Sequence, residues 1–244
     1  MKRRLGWHRR LAHWIGYDID KFNKQITVET HLRENLPRWG IDVVLDVGAN
    51  IGQFATMLRD VGYSGKIISF EPGKAAYEQL SKNCADDPGW DAYNYALGNA
   101  EENLELNVSR SSVFSSFHPV NAFGKEKYGD ALDATTTEQV AVRRLDNALI
   151  DVLPNYEAHT MFLKMDTQGH DHKVIEGADT FKTSFRAILS EIAVTPIYED
   201  IPDYMESMAL YRSIGYEVTG LYVVNRHRDT GHVIEFDCVM AKRP

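Results

Sequence analysis

The sequence has little cysteine, no long apolar run and no excess of basic residues. Its 244 residues include two cysteines, Cys84 and Cys238, so a disulfide framework of the kind found in small secreted domains is not expected. No stretch is long and apolar enough to span a bilayer. With 27 basic and 35 acidic residues, the chain also lacks the basic surplus of a typical nucleic-acid-binding protein.

Basic residues are concentrated at the N-terminus. Residues 1–16 carry Lys2 and four arginines among aromatic and aliphatic side chains, without the uncharged core of a secretory signal. This segment is interpreted either as an arm that packs on its own domain or on a second subunit, or as a helix on an anionic membrane surface. We favour the first, and expect a cytoplasmic protein with peripheral membrane contact and homo-oligomer formation as open alternatives.

The remaining chain alternates apolar runs with segments of helical periodicity. Residues 1–40 are predicted to form the basic arm and a helix over 23–38, and residues 41–244 one domain. Strands are predicted at 43–47, 66–70, 92–97, 161–165, 187–192, 216–224 and 233–241, and helices at 52–61, 74–84, 171–179 and 202–214. A polar turn joins the last two strands, so an α/β fold with a mixed sheet and an antiparallel final pair is expected.

Residues 103–145 interrupt this alternation. Apolar residues alternate with polar ones at both ends of the segment, which predicts an antiparallel hairpin inserted into the domain. The serine-rich stretch between them exceeds a normal connection and is predicted to be a loop or lid. Its aromatic residues either cover a ligand or form a local apolar cluster.

The strongest local signal is the stretch DVGANIG, from Asp46 to Gly52, which follows a buried strand and opens a helix. Glycines there allow a sharp turn and close approach to a ligand. Glu71 ends the next strand and can accept the ribose hydroxyls of a nucleoside. The loop lacks one glycine of the dinucleotide fingerprint, and Asp46 could face the ammonium group of S-adenosylmethionine. This cofactor is therefore favoured, with NAD as the alternative.

Several ordered motifs together resemble the FkbM family of methyltransferases from about Ile41 onward. They are LDVGANIGQFA, SFEP, YALG, RRLD, LKMDTQGHD and EGA. The resemblance implies a class I methyltransferase Rossmann-like fold, a mixed seven-stranded sheet with helices on both faces and the last strand antiparallel. It implies O-methylation of a sugar, glycolipid or related natural product with S-adenosylmethionine. The cofactor-binding residues it suggests are Asp46, Gly48, Ala49, Asn50, Gly52, Glu71, Pro72, Ala96, Leu97, Ser115 and Asp166.

A second cluster follows the strand at 161–165. His170 is predicted to be the general base, with Asp166 orienting it and Lys164 joined to Asp166 in a polar network. Glu191, after the next strand, either binds acceptor hydroxyls or pairs with a basic neighbour. No metal is expected.

Two alternatives to this interpretation stay open. Asp171 stands where the family usually has glutamate, so it either caps the following helix or joins Asp166 as a weak candidate ligand for Mg²⁺. The expected partner is a small-molecule or glycan acceptor. A catalytically inactive Rossmann-like binding module is the non-enzymatic alternative.

Overall fold

The structure, a computed structural model, describes Trp14, residues 27–181 and residues 184–243. Apart from Trp14, the predicted arm over 1–16 lies outside these residues, as do the first residues of the helix predicted at 23–38. The described helix begins at Val28 after a capping box between Thr27 and Thr30, and ends at Gly40 in the left-handed conformation. None of the helices in the described ranges is long and apolar enough to cross a membrane.

Seven α-helices, three short 3-10 helices and ten strands make up the regular structure of the described residues. The helices are α1 (Val28–Trp39), α2 (Gln53–Asp60), α3 (Lys74–Cys84), α4 (Ala122–Tyr128), α5 (Leu145–Val152), α6 (Asp171–Glu176) and α7 (Tyr204–Ser213). The strands are β1 (Val43–Val47), β2 (Lys66–Phe70), β3 (Trp90–Tyr93), β4 (Ala96–Gly98), β5 (Glu102–Ser109), β6 (Ala134–Arg144), β7 (Met161–Met165), β8 (Phe185–Ala193), β9 (Tyr216–Arg226) and β10 (Val233–Lys242).

Seven of the strands form one mixed sheet in the order β3-β2-β1-β7-β8-β10-β9. The first five run parallel to one another, and β10 runs antiparallel to both β8 and β9. This confirms the predicted mixed seven-stranded sheet with an antiparallel last strand. The strand order reverses direction between β1 and β7, and ligands of such sheets bind at that point, outside the carboxyl ends of the strands.

Helices cover both faces of the sheet, because successive residues of a strand point to opposite sides. In β1, Val43 and Leu45 pack into one core with α5, α6 and α7. Val44, between them, packs into a second core with α1, α2 and α3. Continuous apolar runs such as that of β1 are therefore buried on both sides, as expected for parallel strands.

The segment before β7 differs from the prediction in two respects. The single strand predicted at 92–97 is two strands: β3 ends the main sheet, and β4 pairs with β6 in a separate sheet of order β4-β6-β5. The predicted hairpin is present, since β5 and β6 are antiparallel. The helices α4 and α5 were not predicted. The helix α4 is short and its residues Ala122–Tyr128 are largely polar.

The strand β9 forms the free edge of the main sheet and is irregular. Its pairing with β10 skips Thr219 and Val224, so two residues of β9 are left out of the ladder. Between these irregularities the strand exposes Leu221 and Val223, about half of each side chain being accessible.

Candidate active site

One large cleft opens at the carboxyl ends of the central strands. Its volume is about 1120 Å³, including the part that is open to solvent. Residues from the loop after β1, the ends of β2 and β4, the insertion, and strands β7, β8 and β10 line it. The predicted cofactor residues Gly48, Ala49, Asn50, Glu71, Pro72, Ala96, Leu97, Ser115 and Asp166 all belong to this lining.

The glycine-containing loop is held close to the neighbouring strands. The amides of Gly48 and Ala49 both donate to the carbonyl of Phe70, at 3.0 and 3.1 Å. Gly48 has φ +72°, and a Cβ atom there would lie 2.0 Å from the carbonyl oxygen of Asp166. Only glycine fits, because the position requires both the left-handed conformation and close backbone contact. Asn50, φ +48°, completes the turn.

Glu71 is held at the end of β2 by two backbone amides. Its carboxylate accepts hydrogen bonds from Asn50 N and Gly73 N, both at 2.8 Å. Burial raises the pKa of Glu71 to about 7, against the effect of these two amides. Each oxygen still has a lone pair, so the carboxylate is able to accept hydroxyl donors, and its contact with a ribose stays a prediction.

Asp46 does not line the cleft, which corrects its predicted contact with the cofactor ammonium. It is fully buried, and its Oδ1 lies 3.0 Å from Nζ of Lys164. Its Oδ2 accepts a hydrogen bond from Ser69, whose own oxygen accepts the indole N–H of Trp90. The ammonium paired with Asp46 is thus that of the protein's own lysine.

Lys164 connects this buried pair to the glycine-containing loop. Its Nζ donates to the carbonyl of Gly48 at 2.9 Å and lies 3.7 Å from Asp166. Burial alone would lower the pKa of Lys164, but the carboxylates of Asp46 and Asp166 outweigh it and raise the pKa. The lysine stays charged and fixes the loop, and it lies in a polar network with Asp166 as the sequence predicts.

Gly52 is likewise removed from the cleft. It lies at the start of α2 with φ +92°, and a Cβ atom there would lie 2.7 Å from the ring of Trp90. This glycine allows α2 to pack against β3. Its predicted contact with the cofactor is therefore replaced by a packing role.

Part of the insertion crosses the cleft, and we call residues 111–118 the strap. Ser112 Oγ donates to Oδ1 of Asn50 at 2.9 Å, and Ser116 Oγ donates to the carbonyl of Gln168 at 2.7 Å. The strap thus contacts the loops after β1 and β7 at once. Ser115 lines the cleft, and its Oγ accepts a hydrogen bond from the backbone amide of Ser109.

The aromatic residues of the insertion divide between the two predicted roles. Phe117 lines the cleft, next to the apolar side formed by Ala96, Leu97 and Leu106. Phe114 instead packs against Tyr128 in a small separate core. The local apolar cluster is therefore present at Phe114, whereas contact of Phe117 with a ligand stays a prediction.

Asp166, Gln168 and Glu191 form one hydrogen-bonded group at the ends of β7 and β8. The amide nitrogen of Gln168 donates to Asp166 at 3.1 Å and to Glu191 at 2.8 Å. Its carbonyl oxygen accepts the hydroxyl of Tyr198. Glu191 therefore has an amide partner and not the basic neighbour considered from the sequence, and burial together with Asp166 raises its pKa.

His170 lies on the apolar side of the cleft. Its ring packs edge-on against Phe117, and Nε2 would be 3.1 Å from a Cβ atom at Gly98. Burial, with His118 adding to it, lowers the pKa of His170 to about 4. Asp166 contacts Lys164 and Gln168 rather than this ring, so the predicted orientation of His170 by Asp166 is not present.

Asp171 is buried beneath the loop after β7 and does not cap α6. Its Oδ1 accepts both the amide and the hydroxyl of Thr167, and its Oδ2 accepts the hydroxyl of Ser190. With both oxygens so bound, it does not reach a shared site with Asp166. No group of three or more potential metal ligands occurs among the described residues.

Asp237, on β10, is a cleft residue that the sequence analysis missed. It lies directly across the strand pair from Glu191 and lines the cleft with Val28, Phe54 and Lys164. Its own strand also carries Glu235, but two carboxylates in the last strand do not by themselves indicate a ligand site. Only the pairing of β10 with β8 brings it to the site.

Comparison with known families identifies this arrangement. The model of the methyltransferase FkbM domain matches residues 46–218, which is more than half of the chain. The chain belongs to the FkbM methyltransferase family. The sheet order is that of class I Rossmann-like methyltransferases, and S-adenosylmethionine is the cofactor of this class. The described residues fit that cofactor, since Gly48 and Asn50 line the cleft and Glu71 presents a carboxylate beside them.

Individual relatives are distant. Methyltransferase sdnD of Sordaria araneosa is 26% identical over 155 residues, which cover 56% of this chain and 60% of that protein. The chain thus spans less than two thirds of the length of this relative. Fibrillarin of Aeropyrum pernix, solved with S-adenosyl-L-methionine, is 11% identical with a TM-score of 0.44, covering 82% of this chain and 66% of that one. The precorrin-6y C5,15-methyltransferase of Geobacter metallireducens is 11% identical with a TM-score of 0.45, covering 91% and 92%.

Proposed function

We propose that this methyltransferase is an O-methyltransferase that acts on a hydroxyl of a sugar, a glycan or a related natural product. The observation that carries the proposal is the extent of the cleft. It continues past the glycine-containing loop to Asp237, which lies four strand positions from β2 and its Glu71. At about 4.8 Å per strand this is roughly 19 Å, enough for a cofactor and an acceptor side by side.

The polar groups at the two ends suit these two molecules. Glu71 and the loop at Asn50 face the cofactor end, where the bound cofactor would supply an activated methyl group. The chain contributes binding and orientation of the two reactants, and the strap excludes water by covering the cleft. At the far end, Asp237 can accept a hydrogen bond from a hydroxyl donor of an acceptor.

The proposal is tested with S-adenosylmethionine that carries a tritiated methyl group. The full chain is incubated with it and with separate fractions of oligosaccharides, glycolipids, small hydroxylated metabolites, protein and RNA. Label is expected in a carbohydrate or hydroxylated small-molecule fraction. Label that appears only in protein or RNA would refute the proposal, and binding of NADH in preference to S-adenosylhomocysteine by calorimetry would refute the cofactor assignment.

A further inference from the structure

The far end of the cleft, called here the acceptor lobe, is formed by Val28, Phe54, Lys164, Leu189 and Asp237. We propose that this lobe binds an uncharged, hydroxyl-bearing acceptor through Asp237 and rejects anionic acceptors. The inference rests on the proposed function, because it names the acceptor side of the same site. It concerns a residue and a selectivity that neither the family match nor the motifs assign.

Asp237 differs from the neighbouring carboxylates in having no partner. Asp166 and Glu191 share the amide of Gln168, and Glu235 accepts a hydrogen bond from Asn225. Asp237 forms no hydrogen bond or ion pair with any residue in the described ranges, although it is half-buried and borders the cleft. Because Asp237 borders the open cleft, its carboxylate is available to accept hydrogen bonds from a ligand.

The charges around the lobe are predominantly negative. Burial raises the pKa of Asp237 to about 7, and the carboxylates of Asp166, Glu235 and Glu29 raise it further, against the opposing effect of Lys164. The ammonium of Lys164 is already paired with the buried Asp46. A phosphate or carboxylate on the acceptor would therefore meet repulsion with no free cation of the lobe to offset it.

The lobe is also amphipathic, which suits a carbohydrate. Phe54 and Leu189 supply apolar surface, and Asp237 supplies a hydrogen-bond acceptor beside it. A sugar ring offers apolar C–H faces and hydroxyl donors around its edge, so both kinds of surface are used. An anionic sugar of the same size would keep these contacts, so its affinity would be lower only because of its charge.

The test compares two sugars that differ by one carboxylate. Methyl β-D-glucopyranoside and the corresponding glucuronide are added to the full chain saturated with S-adenosylhomocysteine, and binding is measured by saturation-transfer NMR. A pH of about 8.5 keeps the carboxylates ionised, and low ionic strength limits screening. The neutral glycoside is expected to bind at least about tenfold more tightly than the glucuronide.

Two variants assign the effect to the lobe. Asp237→Asn is expected to weaken binding of the neutral glycoside about tenfold, because a charged hydrogen-bond acceptor is lost. The same change should leave the affinity for S-adenosylhomocysteine within about twofold, since Asp237 lies far from Glu71. Asp229→Asn, in the exposed turn between β9 and β10, is the matched control and should change neither affinity.

Each outcome decides the question. No binding of S-adenosylhomocysteine by calorimetry would refute the proposed function, and the inference with it. Binding of S-adenosylhomocysteine with equal binding of both sugars, or of neither, would refute the inference alone. Unchanged glycoside binding in Asp237→Asn would remove Asp237 from the acceptor site.

Discussion

The buried ion pair between Lys164 and Asp46 should be far more important for stability than its length suggests. Lys164 is 5% exposed and Asp46 is completely buried, and their atoms are 3.0 Å apart. Replacing Lys164 with Met keeps most of the side-chain volume but leaves a buried carboxylate with only Ser69 as a partner. Breaking a buried pair in this way costs about 3–5 kcal/mol in free energy of unfolding.

A surface pair between β2 and β3 provides the control. Lys66 and Asp91 are closer together, at 2.7 Å, yet their side chains are 31% and 44% exposed. Solvent screens such pairs, so Lys66→Met should cost at most about 1 kcal/mol. Distance alone would rank the two substitutions in the opposite order.

Urea denaturation followed by tryptophan fluorescence measures both variants, because Trp90 belongs to the hydrogen-bonded chain that ends at Asp46. Adding Asp46→Asn to Lys164→Met removes the unpaired charge and should recover more than half of the loss. Equal effects of Lys164→Met and Lys66→Met, or a double variant less stable than Lys164→Met, would refute this account.

Four further predictions concern the cofactor end. Because burial raises the pKa of Glu71 to about 7, the ionised fraction of Glu71 falls as pH drops through 7. The affinity for S-adenosylhomocysteine should fall with it, whereas the Glu71→Gln variant should bind this ligand weakly at every pH. Calorimetry between about pH 5.5 and 8.5 can check both expectations. The same shift means that, as pH falls, Glu71 is protonated at a higher pH in the folded state than in the unfolded state. The contribution of Glu71 to stability should therefore decrease as pH rises from about 4.5 to 7. Ser112→Ala removes the bond between strap and Asn50, and should speed dissociation of S-adenosylhomocysteine by about 2–10-fold in stopped-flow experiments; an unchanged rate would mean that the strap does not limit exchange. Gly48→Ala should destabilise the protein and abolish cofactor binding. Gly40 has a similar φ of +67° but no atom within 4 Å of an added Cβ, so Gly40→Ala should lower the free energy of unfolding by only about 1–2 kcal/mol in denaturation experiments. Equal losses of stability in the two variants would contradict the steric argument.

The sequence predicted structure correctly where a feature depends on a few adjacent residues. The run Val43–Val47 followed by glycines predicted both β1 and the bend of the loop, because apolar continuity and left-handed turns are properties of a few adjacent residues. Glu71 was placed correctly for the same reason, since it directly follows β2. The mixed sheet followed from the order of these elements.

The errors arose where function depends on contacts between distant segments. Asp46 has the expected position at the end of β1, but the direction of its side chain depends on Lys164, which the pairing of β1 with β7 brings alongside. Asp237 was missed because only the register between β10 and β8 puts it in the cleft. The strand predicted at 92–97 divides because Ala96 pairs with β6, which is 38 or more residues further along the chain.

The interruptions in β9 have a consequence for self-association. A free outer strand normally offers its unpaired amides and carbonyls to another chain, and insertions that break the ladder make such an addition unfavourable. Leu221 and Val223 can therefore stay accessible to solvent without recruiting a further strand. If two copies of this enzyme do associate along this margin, the contact would consist of side chains, and its affinity would respond to Leu221→Ser rather than to backbone pairing.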